Sequence, residues 1–408
     1  MCIRDRYSFQ ELFKIKQSSL VLNGIRPQYT GQPAVIPLGL TWEKSTTLNL
    51  GLDFAFLSNR LQFSGDIYQR KTTDMFTVGM SLPAVFGTDV PKGNYADLTT
   101  KGFELSVSWR DQFQLASKPF NYEVRFTLAD YQSTIDKYNN PEKKLGDDYY
   151  YEGMKVGEIW GYETEGFFTS QADIDSHAKQ PYFYAGATAG QWLPGDIKFK
   201  DLNGDGVIDY GNNTVDNPGD QKIIGNSEPR FIYGINLSGD WNNFFVSAFF
   251  QGVGKQDWWP GSEASYFWGM YNRPYNDMPK SHLGNIWTEE NPNTYFPRLR
   301  GYSSEEPYAE LNLKQTRYLQ NIAYIRMKNI QLGYTLPKSF ISKLRMQNAK
   351  VYVSGENLWS WSPFYKYSKD LDVEAVRGSD RDLTEGTSGN GYSYPILKSV
   401  SFGLSVTF

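Results

Sequence analysis

Apolar and polar residues alternate with a period of two in many segments of the chain. In one segment, Phe103, Leu105 and Val107 alternate with Glu104 and Ser106. Successive side chains of a strand point to opposite faces, so such a segment has one apolar and one polar face. The alternation predicts nine strands, at residues 46–57, 60–76, 101–112, 119–133, 230–241, 243–254, 320–336, 347–358 and 396–408. Most of them reach the about 9–11 residues that a tilted membrane strand needs, whereas strands of soluble domains centre on about 5–6 residues.

The connections between the predicted strands alternate between short and long. The short connections are Ser58-Asn59, 113–118, Asn242 and 337–346, and the long ones are 77–100, 134–229, 255–319 and 359–395. Transmembrane barrels have this rhythm because their periplasmic turns are short and their extracellular loops are long. A sandwich or a soluble barrel has no reason to place every long loop at one end. We therefore predict an all-β chain that forms a portion of an antiparallel transmembrane β-barrel.

The direction of the strands constrains their number. If the short turns are periplasmic, the strand at 46–57 runs toward the periplasm, and an upward strand must precede it, within residues 14–23. About ten strands with such large loops make a poor closed pore, and lipid requires closure because edge strands leave backbone groups unpaired. We therefore interpret residues 40–408 as part of a larger barrel rather than as a complete small one.

Residues 1–39 are assigned to an N-terminal segment that contains a barrel strand and a loop. Residues 1–6 are treated as an artefact, because they lack the apolar core of a signal peptide. The natural N-terminus of an exported protein is then expected to lie upstream of this sequence.

Composition excludes several classes of protein. The 408 residues are 40% hydrophobic and 16% aromatic, with a mean hydropathy of -0.54, and no apolar run approaches the roughly 18 residues of a membrane-spanning helix. The net charge of -4 gives no basic face for nucleic acid. Cys2 is the single cysteine, and the two histidines, His177 and His282, have no partners at catalytic or zinc-binding spacing. The sequence therefore predicts that the protein is not an enzyme.

A series of short motifs follows in one order from about residue 40 to the C-terminus. They are Leu40-Thr-Trp-Glu-Lys44, Gly51-Leu-Asp-Phe54, Leu82-Pro-Ala84, Asn94-Tyr95, Lys101-Gly-Phe-Glu104, Val156-Gly-Glu158, Gly161-Tyr162, Glu165-Gly-Phe167, Pro194-Gly-Asp-Ile-Lys198, Asp201-Leu-Asn-Gly-Asp-Gly206, Ile223-Ile-Gly225, Trp287-Thr-Glu-Glu-Asn-Pro292, Phe296-Pro-Arg298, Lys328-Asn-Ile-Gln-Leu-Gly-Tyr334, Leu336-Pro337, Val351-Tyr352, Gly355-Glu-Asn-Leu358 and a C-terminal Phe. In this order the motifs resemble those of the SusC/RagA-type TonB-dependent transporters. Each motif alone is a weak signal, and their number and order carry the resemblance.

The resemblance implies a plugged barrel of about 22 strands, of which this chain would supply roughly the last ten. It also implies import of oligosaccharides or peptides across the outer membrane of a Gram-negative bacterium, with a SusD-like surface lipoprotein as partner. The TonB complex would act through an N-terminal part that this sequence does not contain. Outer-membrane lipid would surround the barrel.

The last predicted strand has a pattern of its own. Its apolar positions are Val400, Phe402, Leu404, Val406 and Phe408. An alternating strand that ends in phenylalanine resembles the signal by which barrel-assembly machinery recognises its clients. The simpler interpretation is a last strand that closes the barrel, and both can hold.

One long loop has the spacing of a calcium-binding loop. The oxygen donors are Asp201, Asn203, Asp205, Val207 through its backbone carbonyl, and Asp209. This spacing, with the turn-forming Gly206, suits a hard cation such as Ca²⁺. The position that should carry a bidentate acid is Asn212. The resemblance implies an acid just before Ile223-Ile-Gly225, and we expect Asp220 to close a structural calcium site. The alternative is an Asx-rich turn without metal.

Aromatic residues cluster in the third long loop, at Trp258, Trp259, Tyr266, Phe267, Trp268 and Tyr271. Exposed aromatic faces can stack on sugar rings or bury the surface of a partner protein. We therefore treat Trp258, Trp259, Tyr266, Trp268 and Tyr271 as candidates for substrate or partner contact. The alternative is an interfacial girdle or internal packing of a large loop.

Two functions remain open from the sequence. The first is the barrel part of a TonB-dependent nutrient importer. The second is a secreted, calcium-stabilised, β-rich glycan-binding module, which explains the aromatic residues and the calcium-like loop equally well. The second does not explain the long strands, the alternation of short and long connections or the terminal Phe408.

Overall fold

The computed structural model describes residues 13–79, 90–146, 149–181, 192–376 and 394–408, with Val85 and without residues 14, 32, 34, 38, 263, 274, 276 and 306–308. Nine antiparallel strands form one sheet in which each strand pairs with its neighbours in sequence. They are β1 Lys44–Phe56, β2 Leu61–Val78, β3 Lys92–Leu115, β4 Lys118–Lys137, β5 Arg230–Trp241, β6 Phe244–Lys255, β7 Tyr324–Thr335, β8 Asn348–Trp361 and β9 Ser399–Thr407. Each of the nine predicted strands is confirmed, with shifted ends.

The register of the sheet gives it two different faces. Residues directly opposite each other in neighbouring strands share a face. One apolar row runs across eight strands as Phe54, Phe63, Val107, Phe126, Ile235, Phe250, Met327 and Trp359. The row on the other face is mostly polar: Asp53, Ser64, Ser106, Thr127, Gly234, Gln251, Arg326 and Ser360. The period of two in the sequence therefore becomes an apolar and a polar surface of one sheet.

The strands extend further toward the long loops than the sequence pattern indicates. β3 contains 24 residues and β4 contains 20, about twice the 9–11 that a tilted membrane strand needs. The predicted loop 77–100 is thus shortened, because β3 already begins at Lys92. Leu98 pairs with Ile135 in this extension, and Ile135 packs with Leu145 and Met154 of the next loop. Packing against the loop supports the extra length.

Aromatic side chains line the sheet at its short-turn end. Ala116 and Ser117 both have positive φ, as a two-residue type I′ hairpin turn requires. Beside this turn, the rings of Phe113 and Phe120 lie 5.0 Å apart. The same register row continues through Trp241 and Phe244 to Tyr334. This row is a girdle of the kind that outer-membrane barrels place at the membrane interface.

Smaller elements build the segments outside the large sheet. The strands are Ile15–Gln17, Gln28–Thr30, Glu158–Tyr162, Thr164–Phe167, Ile197–Phe199, Gln221–Asn226, Asp257–Trp258 and Gln320–Asn321. The α-helices are Gln171–Ser176, Ser265–Trp268 and Lys338–Ile341, and the 3₁₀ helices are Gly269–Tyr271, Lys280–His282, Gly301–Ser304, Ser342–Leu344 and Pro363–Lys366. In the described residues, no helix has the length and apolar character to cross a membrane.

The sequence predicted an upward barrel strand within residues 14–23 that would pair with β1. The strand found there does not pair with β1. Ile15–Gln17 is a three-residue strand that pairs with Gln28–Thr30 outside the large sheet. β1 and β9 are therefore the two edges of the sheet among the described residues. Both faces of β1 are exposed almost throughout.

Candidate functional site

The packed interior of the molecule lies in the long loops rather than against the sheet. Its largest fully buried side chains are Phe168, Phe199, Phe267, Trp268, Tyr271, Phe296, Tyr318 and Phe364. Contacts between rings join different loops, as with Phe267 and Phe364 at 6.4 Å and Tyr295 stacked on Tyr367 at 3.9 Å between centroids. We call the described parts of residues 138–229, 256–323 and 362–376 the loop cap. The cap is one packed body at one end of the sheet.

The aromatic residues predicted to contact substrate or a partner divide into two groups. Trp258, Trp268 and Tyr271 are buried in the loop cap, and the Tyr271 hydroxyl donates to the carbonyl of Pro297 at 2.6 Å. These three pack internally, which favours the alternative interpretation for them. Tyr266 is 57% exposed and Trp259 is partly buried, so ligand or partner contact stays a prediction for these two.

Asp196 is a buried anion held by two arginines from another loop segment. Arg298 and Arg300 each donate an Nε–H to Oδ1 of Asp196 at 2.7 Å, and Arg300 donates a second bond to Oδ2. The backbone N–H of Leu193 also donates to Oδ2, at 2.7 Å. A buried charge without partners costs several kcal/mol, so this pairing fixes the two segments to each other. Sequence reasoning did not single out these side chains, although two of its motifs, 194–198 and 296–298, contain Asp196 and Arg298.

Glu310 is a second carboxyl group in the same buried cluster. Its Oε2 accepts a hydrogen bond from the backbone N–H of Ile197 at 2.9 Å, and its Oε1 has no hydrogen-bond partner among the described residues. Burial, together with the negative charge of Asp196, raises the pKa of Glu310 to about 8. At neutral pH Glu310 is therefore mostly protonated, and Asp196 is the anion that faces Arg298 and Arg300.

Both histidines bind backbone carbonyls of the loop cap. Nε2 of His282 lies 2.9 Å from the carbonyl oxygen of Phe267, and its ring centroid lies 4.0 Å from that of Phe296. Burial lowers the pKa of His282, so the ring is neutral at pH 7. Nε2 of His177 lies 2.8 Å from the carbonyl oxygen of Phe199. These contacts are explained by packing of the loops.

Asp220, the predicted closing ligand of the calcium-like loop, forms hydrogen bonds to backbone amides of that loop. Asp220 lies beside the loop, where Oδ1 accepts from the backbone N–H of Leu202 at 2.7 Å and Oδ2 from that of Asp209 at 2.9 Å. At the other end, Oδ2 of Asp201 accepts from the N–H of Gly206 at 2.9 Å. Burial raises the pKa of Asp220. Asp220 therefore brings the two ends of the loop together.

The remaining predicted ligands also bond to backbone amides. Oδ1 of Asn203 accepts from Asp205, and Oδ1 of Asp205 accepts from Val207, at 2.9 and 2.8 Å. Among the residues that the structure describes, no three acidic, histidine or cysteine side chains are grouped so as to hold a metal ion. The residue types suit Ca²⁺, but the carboxylates do not converge on one point. Calcium binding stays a prediction.

The polar face of the sheet carries paired charges along its length. Near the short turns, Arg110 and Glu123 form an ion pair with an N–O distance of 3.1 Å. Near the loop cap, Arg326 binds Asp372 at 2.6 Å and Lys328 binds Glu374 at 2.5 Å. The second group ties the loop segment 362–376 to β7. Ion pairs therefore lie on this mostly polar face near both of its ends.

The chain was compared with protein-family models, with curated proteins and with solved structures. No protein-family model matches the chain. The TonB-dependent receptor P3 of Formosa agariphila is 28% identical over 387 residues, which cover 90% of this chain and 34% of that receptor. The TonB-dependent receptor SusC of Bacteroides thetaiotaomicron is 23% identical over 93% of this chain and 33% of its own length. The chain thus spans about a third of the length of these curated relatives.

Solved structures show the same fold. A structure of the RagAB peptide transporter matches 98% of this chain and 38% of its own, with a TM-score of 0.70 and 20% identity. The closed-closed state of the RagAB peptide importer matches with a TM-score of 0.67 and 18% identity. The chain is related to the SusC/RagA-type TonB-dependent receptors.

This relationship confirms the predicted fold class, an antiparallel portion of a transmembrane β-barrel with long outer loops. It also confirms the location, the outer membrane of a Gram-negative bacterium. The apolar row of a SusC/RagA-type barrel faces lipid and its polar row faces the lumen. A secreted module is therefore the wrong alternative, and the exposed Leu48, Leu50 and Leu52 of β1 agree, because a soluble protein would bury them.

The last strand has the two faces that the sequence predicted. Val400, Phe402 and Leu404 are exposed on the lipid face, and they pair with Gly355, Val353 and Val351 of β8. Phe402 is 83% exposed, and Phe408 follows the last residue of β9. Val406, opposite the buried Ala349, completes the row. Recognition of this row by barrel-assembly machinery stays a prediction.

Proposed function

We propose that the chain is the barrel part of an active importer that moves oligosaccharides or peptides across the outer membrane. The observation that carries the proposal is the two-faced sheet, lipid-facing on one side and polar on the other, beneath a packed cap of long loops. A polar lumen gives hydrophilic solutes a path, and a structured cap at its outer end can select among them. The curated relatives are named TonB-dependent receptors, which supports energy supply by TonB through a part outside this chain.

A surface lipoprotein of the SusD type is the proposed partner at the loop cap. The RagAB structures that match the chain are described as a peptide importer. In the present chain, Tyr266 offers an exposed ring on the cap where a partner could bury it. The partner would cover the outer end of the lumen while substrate is bound.

Gene deletion tests the import function. The source bacterium lacking the gene would be grown with single neutral glycans or peptide mixtures as the limiting nutrient, beside the complemented strain. We expect slow growth and lost uptake on one nutrient class, restored by the intact gene and abolished when TonB is depleted. Uptake of every glycan and peptide at the wild-type rate in the deletion strain would refute the proposal.

We also propose a structural Ca²⁺ in the loop 201–220, with oxygens from Asp201, Asn203, Asp205, Val207 and Asp209 and closure by Asp220. The spacing of the oxygen-bearing side chains supports this, and Asp220 lies beside the loop, where it accepts from the N–H groups of Leu202 and Asp209. Calcium added to chelator-treated receptor in detergent should release heat and raise the midpoint of thermal unfolding. Neither heat nor stabilisation at millimolar calcium would identify the loop as an Asx-rich turn without metal.

A further inference from the structure

A pocket of about 360 Å³ lies in the loop cap between the second and third long loops. Its walls carry Tyr149, Trp160 and Tyr210, and amide side chains from Asn213, Gln221 and Asn312. Small-molecule sites typically measure about 300–1,000 Å³ and combine aromatic walls with a few placed polar groups. The pocket has the size and composition of such a site, and it borders the aromatic core at Tyr162, whose ring lies 5.6 Å from that of Phe199.

One wall is held by a chain of hydrogen bonds between side chains. The Tyr151 hydroxyl donates to Oε2 of Glu158 at 2.5 Å, and Nε1–H of Trp160 donates to the Tyr151 oxygen at 3.3 Å. The backbone N–H of Lys155 donates to the other carboxylate oxygen of Glu158 at 3.1 Å. The indole of Trp160 therefore has a fixed orientation. Since both oxygens of Glu158 are engaged, the pocket does not present a free carboxylate to a cation.

The opposite wall is held by the closed loop. Tyr210 follows Asp209 and Gln221 follows Asp220, and the backbones of Asp209 and Asp220 are joined by the N–H of Asp220 donating to the Asp209 carbonyl at 3.0 Å. Asn213 donates from Nδ2 to the Leu145 carbonyl at 2.9 Å. These bonds hold the segment with Tyr210 and Asn213 beside Gln221 and Leu145 when no ligand is bound.

The floor of the pocket is formed by close contact of two backbones. Tyr162 donates its N–H to the Lys314 carbonyl at 2.8 Å, and Thr316 donates to the Tyr162 carbonyl at 3.0 Å. A Cβ on Gly161 would lie 2.3 Å from the Lys314 carbonyl oxygen, so only glycine fits here. Because Tyr162 uses both its backbone groups in these bonds, the floor cannot accept a peptide as an added strand.

We infer that this pocket binds one or two rings of a neutral saccharide. Aromatic rings offer faces to the C–H surfaces of a sugar, and amide side chains supply both donors and acceptors for its hydroxyl groups. A cationic ligand would lack a free counter-charge at Glu158, and a peptide would lack a strand edge at Tyr162. This inference rests on the proposed import function, of which it specifies the substrate class.

Binding of glycans to the intact receptor in detergent tests the inference. The probes are a panel of fluorescent neutral di- and trisaccharides and, in parallel, a panel of neutral tripeptides. We expect one saccharide to bind, with affinity reduced about tenfold or more by Tyr149→Ala or Tyr210→Ala, since each removes a stacking face. Tyr149→Phe and Tyr210→Phe keep the ring and should retain most of the affinity. Tyr275→Ala, an exposed tyrosine outside the pocket, is the matched control.

The outcomes separate the pocket from the importer. Saccharide binding that is unchanged in both alanine variants would overturn the pocket assignment, even where wild-type cells import that saccharide. Binding of tripeptides alone would overturn the ligand class. Loss of affinity in the Tyr275→Ala control would show a general folding defect and contradict a pocket-specific effect. Failure of the import function is a different result, seen as unchanged nutrient uptake in the deletion strain.

Discussion

Arg298 donates its Nε–H to Asp196 across 2.7 Å, although 102 positions separate the two residues in the sequence. The pair joins the segment that contains Ile197–Phe199 to the segment that follows Phe296, and both lie in the core of the loop cap. Arg300 shares the same carboxylate. The cap therefore depends on a buried ion cluster as well as on its aromatic core.

Replacement of Asp196 should loosen the cap. Asp196→Asn keeps the shape but removes the negative charge between Arg298 and Arg300, and breaking one side of a buried pair costs about 3–5 kcal/mol. We expect faster hydrogen exchange in 193–199, 296–305 and 309–311, measured by mass spectrometry on the receptor in detergent. Asp277→Asn, at an exposed position in the loop that carries Arg298, should change nothing measurable. Unchanged exchange in the Asp196 variant would contradict a structural role for the cluster.

Glu310 makes the stability of the loop cap depend on pH. Its pKa is raised from 4.5 to about 8 by burial and by Asp196, so the folded cap binds more protons than the unfolded cap between these values. The stabilisation that Glu310 contributes is then complete below about pH 4.5, declines as the pH rises toward about 8, and is lost above it. Burial also raises the pKa of Asp196, to about 6, so Glu310→Gln, which imitates the protonated group, should remove the part of the decline that lies above about pH 6.

The pH dependence can be read from protease resistance of the cap between pH 5 and pH 9. The wild-type cap should become more susceptible as the pH rises from 6 to 9, corrected for protease activity with an unfolded substrate, and Glu310→Gln should lose most of this increase. Glu289→Gln, at an exposed loop position, should follow the wild type. A Glu310→Gln profile identical to that of the wild type would show that Glu310 does not govern the dependence.

Two neighbouring residues of β9 test the assignment of the sheet faces. Phe402 lies on the lipid face and Ser401 on the polar face, where Ser401 pairs with Ser354. Arginine on the lipid face of a barrel costs about 2–4 kcal/mol near the bilayer midplane. Phe402→Arg should therefore reduce the amount of receptor assembled in the outer membrane, measured by fractionation and heat-modifiability, whereas Ser401→Arg should be tolerated. Equal assembly of both variants would contradict the orientation of the sheet.

Asp220 should stabilise its loop whether or not calcium binds. Asp220→Asn loses an acceptor, so its amide faces the N–H of Leu202 or of Asp209, and an orphaned buried donor costs about 1–3 kcal/mol. We expect faster amide exchange at residues 202–209, with Asp216→Asn, an exposed aspartate nearby, as control. If calcium also binds, the variant should lose the calcium-dependent rise in unfolding temperature. Normal exchange in Asp220→Asn would show that the loop closes by other contacts.

The sequence by itself determined the nine strands, their faces and the order of short and long connections. The period of two is a property of the extended backbone, so Phe103 and Glu104 had to point to opposite sides wherever the strand lies. The resemblance to the transporter family also pointed to Asp220 as the closing ligand of a calcium site, and this stays a prediction. The strand ends were predicted less well, since Lys92–Thr100 belongs to β3 through pairing with neighbouring strands, where Leu98 lies opposite Thr72 of β2 and Ile135 of β4.

Only the tertiary structure decided what the long loops do. Loops have no periodicity, so nothing in the sequence showed that Trp268 and Tyr271 are buried whereas Tyr266 is exposed. The pairing of Asp196 with Arg298 joins positions far apart in the chain, and the raised pKa of Glu310 follows from burial that arises when the second and third long loops pack together. The pocket beside Trp160 likewise has walls from separate loops. Short-range alternation fixes strands, whereas sites built from distant segments exist only once the chain has folded.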